Sequence, residues 1–475
     1  MLLADVPPLF DYPNHLARMY LLGHLSESGP LQDYYAVNWA LIPDLAMDLV
    51  VPAVARVLPL AWAAKLFLLA TLALIAAGTA VVHRAANGRW TLWPLGAFLF
   101  LYSRVLLWGF LNFLFGVGLA LAGLAAWIVL AERPLWLRLA VGASFALGTY
   151  VAHLMAGVIF GVLIGGYELG RWMRLGPLSW RALLSRAAVI SLAFAAPAAL
   201  FLIGPHEGLG AVRFSRWVRK LDLPFSVFDD YHRAFDIGCF VLVVLAAGLL
   251  FARRYLVVMA PLRVSLLLLV LLYLASPTQI MTASAVDHRL PLVLVLVLVA
   301  ATAGPAMPAR WARGAAMFAL ALFAVRLGLV GEAWVRADEE YRRDVSVLDR
   351  IPEGARVALV YPPSAIAVDL APKVHLPLLA IVRRDAFLPT LFAYPGQQPV
   401  MLTPSGERLA AEAEPGTLWQ AWSTADAGAM AAALRDFDFF IAVDRRPLDL
   451  PALRALEPVA SEPDFALYRV RRGLP

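Results

Sequence analysis

Residues 60–82 read Leu-Ala-Trp-Ala-Ala-Lys-Leu-Phe-Leu-Leu-Ala-Thr-Leu-Ala-Leu-Ile-Ala-Ala-Gly-Thr-Ala-Val-Val, with one charge at Lys65. A helix of this length can cross the roughly 30 Å hydrocarbon core of a bilayer. Further apolar runs near this length recur along the 475 residues, which are 61% hydrophobic and 16% charged, with a mean hydropathy of +0.73. Because a spanning segment must satisfy its own backbone polar groups, the sequence predicts an all-α polytopic membrane protein with a small C-terminal α/β domain.

About ten of these runs are predicted to span the membrane. A short interfacial helix is predicted before them, and a polar outer loop interrupts them. The predicted spans are 60–82, 91–108, 113–131, two helices across 139–170 with a hinge near His153, 187–204, 235–252, 258–276, 290–307 and 314–334, with the interfacial helix at 44–58 and the loop at 205–234.

The arginines predict which side of the membrane each connection occupies. Loops after the odd-numbered predicted helices carry arginine, so the positive-inside rule assigns them to the cytoplasm. The N-terminal segment, the loops 205–234 and 277–289 and the C-terminal domain are then outside. Of the 15 acids before residue 335, all but Glu132 and Glu168 fall on that outer side, which suggests that the chemistry faces outward.

Composition changes near residue 335. Residues 335–475 hold 19 of the 34 acids and 16 of the 40 bases, so this part is predicted to be an extracytoplasmic α/β domain, and residues 1–334 the transmembrane domain with 1–59 as its first outer segment. No phosphate-binding glycine loop, metal-ligand spacing or nucleophile elbow occurs in the domain, and the single Cys239 excludes an intramolecular disulfide. The predicted strands are 356–361, 374–382, 400–402, 439–443 and 465–470, and the predicted helix is 426–436.

The segment Asp5-Val-Pro-Pro-Leu-Phe-Asp-Tyr-Pro-Asn-His-Leu-Ala-Arg-Met-Tyr20 is the first candidate site. Asp11 precedes Pro13 at a predicted helix start, so it is either a cap or a carboxylate that acts as catalytic base or orients a substrate. His15 and Arg18 follow at helical spacing on roughly the same face. His15 is either a metal ligand, a proton partner or a plain interfacial histidine. Arg18 could hold a phosphate, and Asp5 is a weaker second carboxylate.

Basic residues on the outer side form the second candidate site. Residues 210–221 predict an amphipathic interfacial helix with Arg213, Arg216 and Lys220 along one face. These cations face either lipid headgroups or the phosphate of a lipid-linked substrate. Asp287-His288-Arg289 lies at the mouth of a predicted span, where ionisable groups are costly unless they have a role. Arg289 is the best single candidate for a lipid-phosphate ligand, with snorkelling to the interface as the alternative.

These features together resemble the GT-C glycosyltransferases of bacterial membranes, the group with the protein O-mannosyltransferases and the aminoarabinose lipid A transferase. The resemblance is carried by the acidic motif Asp11-Tyr-Pro-Asn-His15, by the ten or so helices and by the C-terminal domain. Family members usually place the acidic motif after a first spanning helix, so we expect such a helix upstream of this sequence. Many also have a closer acidic pair than Asp5 and Asp11.

The resemblance implies an integral protein of the bacterial cytoplasmic (inner) membrane, with its site and C-terminal domain outside. The implied donor is a sugar on a polyprenyl phosphate, and the acceptor is an extracytoplasmic glycan, lipid or protein. Asp11 is then the base of an inverting displacement, and Arg289 with His288, Asp287 and the basic loop residues handles the lipid phosphate. The use of a divalent metal stays open, with Asp11 and His15 as its ligands if one is bound.

Three other functions fit the composition in part. A membrane polysaccharide polymerase or ligase would use a larger outer loop and arginines rather than a first-loop carboxylate. A multi-pass transporter or flippase would predict internal repeats and ionisable residues near mid-membrane, whereas the acids here gather at one predicted surface. A non-catalytic membrane protein of the cell envelope is the third. The basic balance indicates topology, with membrane lipids as partners and no nucleic acid.

Overall fold

The computed structural model describes residues 3–174, 179–205, 212–280, 283–305, 307–363, 371–444 and 455–471. Most of these residues are helical, and six helices are long and apolar enough to cross a membrane. A seventh span exists if Trp180–Ala193 and Ala195–Ile203, which meet at a 54° bend, are counted together. The six are Leu60–Asn87, Leu111–Val129, Leu135–Ala152, Leu154–Arg174, Arg233–Ala252 and Ala309–Ser346 with its extension to Arg350.

The prediction of about ten spans is therefore not confirmed. Residues 91–108 form a 3-10 helix, Trp93–Phe100, and a short helix, Arg104–Leu107. The runs 258–276 and 290–307 give helices of only 13 and 12 residues, Arg263–Ala275 and Leu290–Ala301. Prolines stand at the first turn of the 3-10 helix and of Leu290–Ala301. Hydropathy measures the transfer of side chains and does not count backbone interruptions, so an apolar run of span length need not form one continuous helix.

The remaining elements are short. The other α-helices are Tyr12–His24, Gly29–Gln32, Ala46–Ala55, Arg219–Asp222, Leu379–Arg384, Pro404–Glu412, Pro415–Ser423 and Ala427–Ala433. The strands are Tyr35–Val37, Val257–Val258, Thr302–Ala303, Val357–Val360, Val400–Leu402, Phe439–Ala442, Leu456–Glu462 and Phe465–Val470.

Contacts divide the chain into two compact units. The first contains residues 1–39, 48–66 and 332–475, and the second contains residues 40–47 and 67–331. The N-terminal segment thus packs with C-terminal residues, within the first unit.

A four-stranded sheet forms the core of the first unit. Val357–Val360 pairs in parallel with Phe439–Ala442, which pairs antiparallel with Phe465–Val470, whose other edge carries Leu456–Glu462. The first two strands are buried along their whole length, as is typical of strands covered on both faces. Tyr35–Val37 adds an antiparallel pair with Val400–Leu402, and this pair joins the N-terminal segment to the C-terminal domain.

The sequence predicted strands 356–361, 400–402, 439–443 and 465–470 correctly within a residue or so. The predicted strand 374–382 is wrong: Leu376–Leu378 is a 3-10 turn that leads into the helix Leu379–Arg384. Pro377 cannot donate to a strand ladder and suits the start of a helical turn. The strand Leu456–Glu462 was missed because proline and charged residues interrupt its apolar alternation.

Glycines bring the helices of the second unit close together. A Cβ added at Gly116 would lie 2.6 Å from Ala156 Cβ, and one at Gly166 would lie 2.5 Å from the Ser265 backbone. Small residues at helix crossings allow this approach in membrane bundles. The helices Leu135–Ala152 and Leu154–Arg174 turn at His153, as the sequence predicted.

The predicted amphipathic helix at 210–221 is wrong for its described part. Residues 212–218 are not helical, and only Arg219–Asp222 forms a helical turn, while 210 and 211 lie outside the described residues. Arg213 instead forms a β-bridge, in which its backbone N donates to Gln279 O at 2.9 Å. Pairing with the loop that follows Arg263–Ala275 thus replaces the local helix that the side-chain pattern favoured.

Candidate active site

Asp11 occupies the N-cap position of the helix Tyr12–His24 but does not cap it with its side chain. The helix start is favoured by Pro13, whose fixed φ suits the first turn. The Asp11 side chain is nevertheless buried, with the residue only 7% exposed. The structural role that the sequence offered for this carboxylate, a helix cap, is therefore not the one it performs.

A histidine from the C-terminal domain faces this carboxylate. His375 Nδ1 lies 3.5 Å from Asp11 Oδ1, longer than a good hydrogen bond. The His375 ring packs against Phe10, with 4.5 Å between centroids, and meets Phe392 edge-on at 5.2 Å. His15 contacts the same Phe392 edge-on at 6.5 Å. His15 and His375 therefore pack against the same Phe392 ring, and Asp11 lies beside His375, inside the first unit.

Burial sets the charge state of His375. It lowers the pKa of His375 to about 4, although a backbone hydrogen bond at Phe10 acts in the opposite direction. His375 is thus neutral at pH 7, and a neutral imidazole can orient a neighbouring carboxylate through a ring N–H without adding a buried cation. Carboxylate and neutral imidazole together form a set of groups suited to proton transfer.

The lowered pKa of His375 predicts a pH-dependent stability. Between pH 6.5 and 4 the unfolded chain binds a proton at this side chain and the folded chain does not, so stability falls as the pH falls. At about 1.4 kcal/mol per pH unit the loss is ~3 kcal/mol across this range. Unfolding of the purified protein at several pH values measures it. His375→Gln should flatten this part of the curve, and parallel curves for the two proteins would contradict the assignment.

Two other residues of the N-terminal candidate site have structural partners. Arg18 is fully buried and donates from Nε and Nη2 to both oxygens of Asp48, at 2.7 and 3.0 Å. Asp5 is exposed and accepts from Arg342 Nε at 3.1 Å, while its backbone N donates to Asp338 at 2.6 Å. Arg18 is thus held in a buried ion pair, and Asp5 in an exposed one.

The metal expectation has no further support from geometry. No group of three or more histidine, cysteine or carboxylate side chains placed to hold a metal is found among the described residues. Asp11 and His15 therefore do not belong to such a set there.

In the second unit, Arg289 is held at the turn before the helix Leu290–Ala301. It extends from the 3-10 turn Asp287–Arg289, and its Nη1 lies 2.7 Å from His153 Nε2. Nη2 donates to the Ser284 carbonyl at 3.3 Å, and the guanidinium stacks 4.2 Å above the Phe110 ring. These neutral contacts orient the cation, as a ligand of a phosphate must be oriented.

His153 and Asp44 complete this second-unit cluster. The Met155 backbone N lies 3.1 Å from His153 Nδ1, so both ring nitrogens face a donor. Asp44, with a positive φ of 76°, places Oδ1 4.0 Å from His153 Nε2. Its carbonyl accepts from Asn112 at 2.6 Å. The sequence predicted only a hinge near His153. The contact between His153 and Arg289 is visible only in the structure.

Asp287 and Lys220 join the two outer loops of the sequence analysis. Asp287 is fully buried, and its Oδ2 accepts from Lys220 Nζ at 2.9 Å. Lys220 also donates to the carbonyls of Tyr273 and Ser276. Both side chains thus hold the loop 205–234 in place. His288 lies 5.1 Å from the Trp108 ring, and burial lowers its pKa, so it is mainly neutral at pH 7.

The remaining basic and acidic residues of loop 205–234 separate into two groups. Arg213 and Arg216 are exposed. The acids are paired inside the unit: Asp229 with Arg104, and both Asp230 and Asp236 with Arg326, at 2.8 and 2.7 Å. These acids hold the loop to its helices and are not left for a substrate.

Sequence reasoning missed His375 and Phe392. Both lie in a part of the chain that was predicted as strand or loop of a separate domain, where a single histidine carries no motif. No local signal connects these two residues to Asp11. His375 lies beside Asp11, with Phe392 against its ring, only after the C-terminal residues pack on the N-terminal segment.

No protein-family model and no curated protein matches the sequence. Two solved structures of ArnT from Cupriavidus metallidurans resemble the fold over 98% of this chain and 95% of theirs. The apo structure has a TM-score of 0.46 at 11% identity, and the one bound to undecaprenyl phosphate has 0.49 at 12%. The similarity concerns the overall fold, and no residue of this chain is assigned a role from it.

Proposed function

We propose that this protein is a membrane glycosyltransferase that moves a sugar from a polyprenyl-phosphate donor to an extracytoplasmic acceptor. The class of reaction comes from the resemblance of the sequence to GT-C enzymes. The observation that carries the proposal is the Asp11 carboxylate, which is buried, does not cap its helix and faces a neutral His375. A carboxylate held in this way has the chemistry of a general base.

In the proposed step an acceptor hydroxyl oxygen attacks the anomeric carbon of the donor. Asp11 takes the hydroxyl proton while the new carbon–oxygen bond forms. The bond between the anomeric carbon and the phosphate oxygen breaks, and polyprenyl phosphate leaves with the bonding electrons. A single displacement inverts the anomeric configuration. His375 is a positioning residue that orients Asp11.

Arg289 is proposed to stabilise the departing phosphate. Its guanidinium is already oriented by His153, Ser284 and Phe110 at the mouth of the helix Leu290–Ala301, so little entropy is lost when it binds an anion. Developing charge on a leaving group is best met by such a preorganised cation. The proposal assigns no role to Lys220, Asp287 and Arg18, because each of these charges is neutralised by a buried ion-pair partner.

Arg289→Gln is expected to lower kcat/KM for the donor by about 10–100-fold, since a hydrogen bond to a charged group contributes ~1.5–3 kcal/mol. Arg289→Lys should recover part of the loss, because an ammonium supplies the charge without the planar fork. Arg253→Gln, at an exposed position past the end of Arg233–Ala252, is the control with the same charge change. Equal kinetics for Arg289→Gln and Arg253→Gln would remove Arg289 from the site.

The proposed activity itself is tested with purified full-length protein and a synthetic polyprenyl-phosphate sugar. We expect release of polyprenyl phosphate that depends on an added acceptor fraction from cell envelopes. Deletion of the protein should also change the cell-surface glycans. No release together with unchanged glycans in the deletion would favour a transporter or flippase, or a non-catalytic envelope protein, over an enzyme.

A further inference from the structure

A second polar site lies at the opposite end of the helix pair from His153. The helix Leu135–Ala152 begins at this end and Leu154–Arg174 finishes there. Fifteen residues of helix separate Arg138 from His153, a rise of roughly 22 Å. Nothing at this end enters the proposed transfer of sugar.

A cavity of about 260 Å³ opens here between four helices. It is lined by Trp127, Arg138, Glu168, Arg171, Arg186 and Ser185, with Ala182 and Val189 beside them. A water molecule occupies about 30 Å³ of liquid, so the cavity has room for a phosphate group and several waters. Three arginines and one acid line it, which leaves an excess of positive charge.

The single carboxylate in the cavity is shared by two guanidinium groups. Glu168, with a side chain 3% exposed, binds Arg138 through one oxygen and Arg186 through the other. Trp127 Nε1 donates to the same carboxylate at 3.1 Å, and Arg138 stacks 4.2 Å from the Trp127 ring. One negative charge cannot balance two cations in a poorly hydrated site.

Two further observations favour an anionic ligand in the cavity. Arg138 is only 8% exposed, and its Nε has no hydrogen-bond partner within the described part of the chain. Arg171 pairs with Glu132, whose side chain is 84% exposed, so this pair is screened by solvent and weak. A buried guanidinium nitrogen without an acceptor is costly, and an anionic ligand in the cavity would supply one.

The surroundings indicate a lipid as the source of that anion. The helix Trp180–Ala193, which forms one wall, exposes Trp180 at 66% and Leu184 at 57%. An acyl chain can lie along these apolar side chains while its phosphate enters the cavity. By the positive-inside rule, the arginine-rich end of the helices faces the cytoplasm, where basic pockets between membrane helices meet anionic headgroups.

We propose that Arg138, Arg171 and Arg186 form a binding site for the phosphate of an anionic phospholipid of the cytoplasmic leaflet. The phosphate accepts from the guanidinium groups that Glu168 does not saturate, and Glu168 keeps the arginines in place when the site is empty. The lipid would hold these four helices together at this end and so stabilise the fold of the second unit.

The test uses the full-length protein in detergent and native mass spectrometry with phosphatidylglycerol, phosphatidylcholine and inorganic phosphate. The pocket variant is Arg171→Gln/Arg186→Gln, which spares the most buried arginine. The control is Arg133→Gln/Arg181→Gln, which removes the same charge from exposed positions at the same end. We expect phosphatidylglycerol to bind the wild type and the control alike, and the pocket variant at least about tenfold more weakly.

Equal losses in both double variants, or equal binding of phosphatidylcholine, would overturn the proposal, because either result indicates a diffuse interaction. Binding of inorganic phosphate with the same dependence on the two arginines, and no preference for the lipid, would support the phosphate site with a soluble source. If the pocket variant does not fold, Ala182→Asp serves instead: it adds a negative charge to the lining, leaves every ion pair intact and should abolish phosphatidylglycerol binding.

Discussion

Asp11→Asn is expected to lower the rate of sugar transfer by about 10²–10⁴-fold, the range typical for loss of a general base. The amide has nearly the same shape but cannot accept the acceptor's proton. The side chain makes no cap hydrogen bond, so the helix loses at most ~0.3–1 kcal/mol from its interaction with the helix dipole. Transfer and thermal unfolding of the same purified protein therefore separate a chemical effect from a structural one.

A matched control is available in the same unit. Asp33 is exposed, and Asp33→Asn removes the same charge without touching the site. We expect its transfer rate to equal that of the wild type. Asp11→Glu should retain a small part of the activity, because a displacement of about 1 Å can cost about 10²-fold. Full transfer by abundant, membrane-inserted Asp11→Asn protein would exclude Asp11 as the base.

His375→Gln tests the positioning role separately from the base. Asp11 keeps its carboxylate in this variant, so we expect a smaller loss of kcat than in Asp11→Asn. The position of the acidic limb of the pH–rate profile should also move, because a titrating group that contacts the base has been removed. An effect on stability with an unchanged pH–rate profile would reduce His375 to a packing residue.

Arg18→Met is expected to destabilise the protein by about 3–5 kcal/mol, the largest effect on stability predicted here. The substitution keeps an apolar chain of similar length but leaves the Asp48 carboxylate buried without its cation. Both side chains are 0% exposed, and the pair is bidentate at 2.7 and 3.0 Å. The pair joins the helix Tyr12–His24 to the helix Ala46–Ala55. The measurement is denaturant or thermal unfolding of the purified protein.

The double variant Arg18→Met/Asp48→Leu distinguishes a lost attraction from an uncompensated charge. Replacing both members by apolar residues should recover most of the stability, because neither charge then has to be desolvated. Arg336→Met, which breaks the exposed pair with Glu332, is the control and should cost below about 1 kcal/mol. A folded Arg18→Met protein with normal stability and a raised KM for the donor would instead restore Arg18 as a phosphate ligand.

The sequence by itself determined the class of the molecule and several of its elements. Spans such as Leu60–Asn87, the break at His153 and the strand Phe439–Ala442 follow from runs of apolar side chains, which act through local transfer of side chains out of water. The sequence also identified Asp11 and Arg289 as candidates, because ionisable residues next to apolar helices are costly unless they have a role. It could not separate a 3-10 segment such as Trp93–Phe100 from a span of equal hydropathy.

Only the tertiary structure decided which partner each charged side chain has. Arg18 is held by Asp48, Lys220 by Asp287, and Asp11 faces His375 from the other end of the chain. These pairs depend on how the chain folds back on itself, and no pattern within ten or twenty residues records that. The same is true of residues 212–218, where pairing with Gln279 outweighs the helical pattern of the side chains. The local sequence determines which side chains are charged or apolar. The tertiary fold determines which of the charged side chains are neutralised by an ion-pair partner and which can contact a substrate.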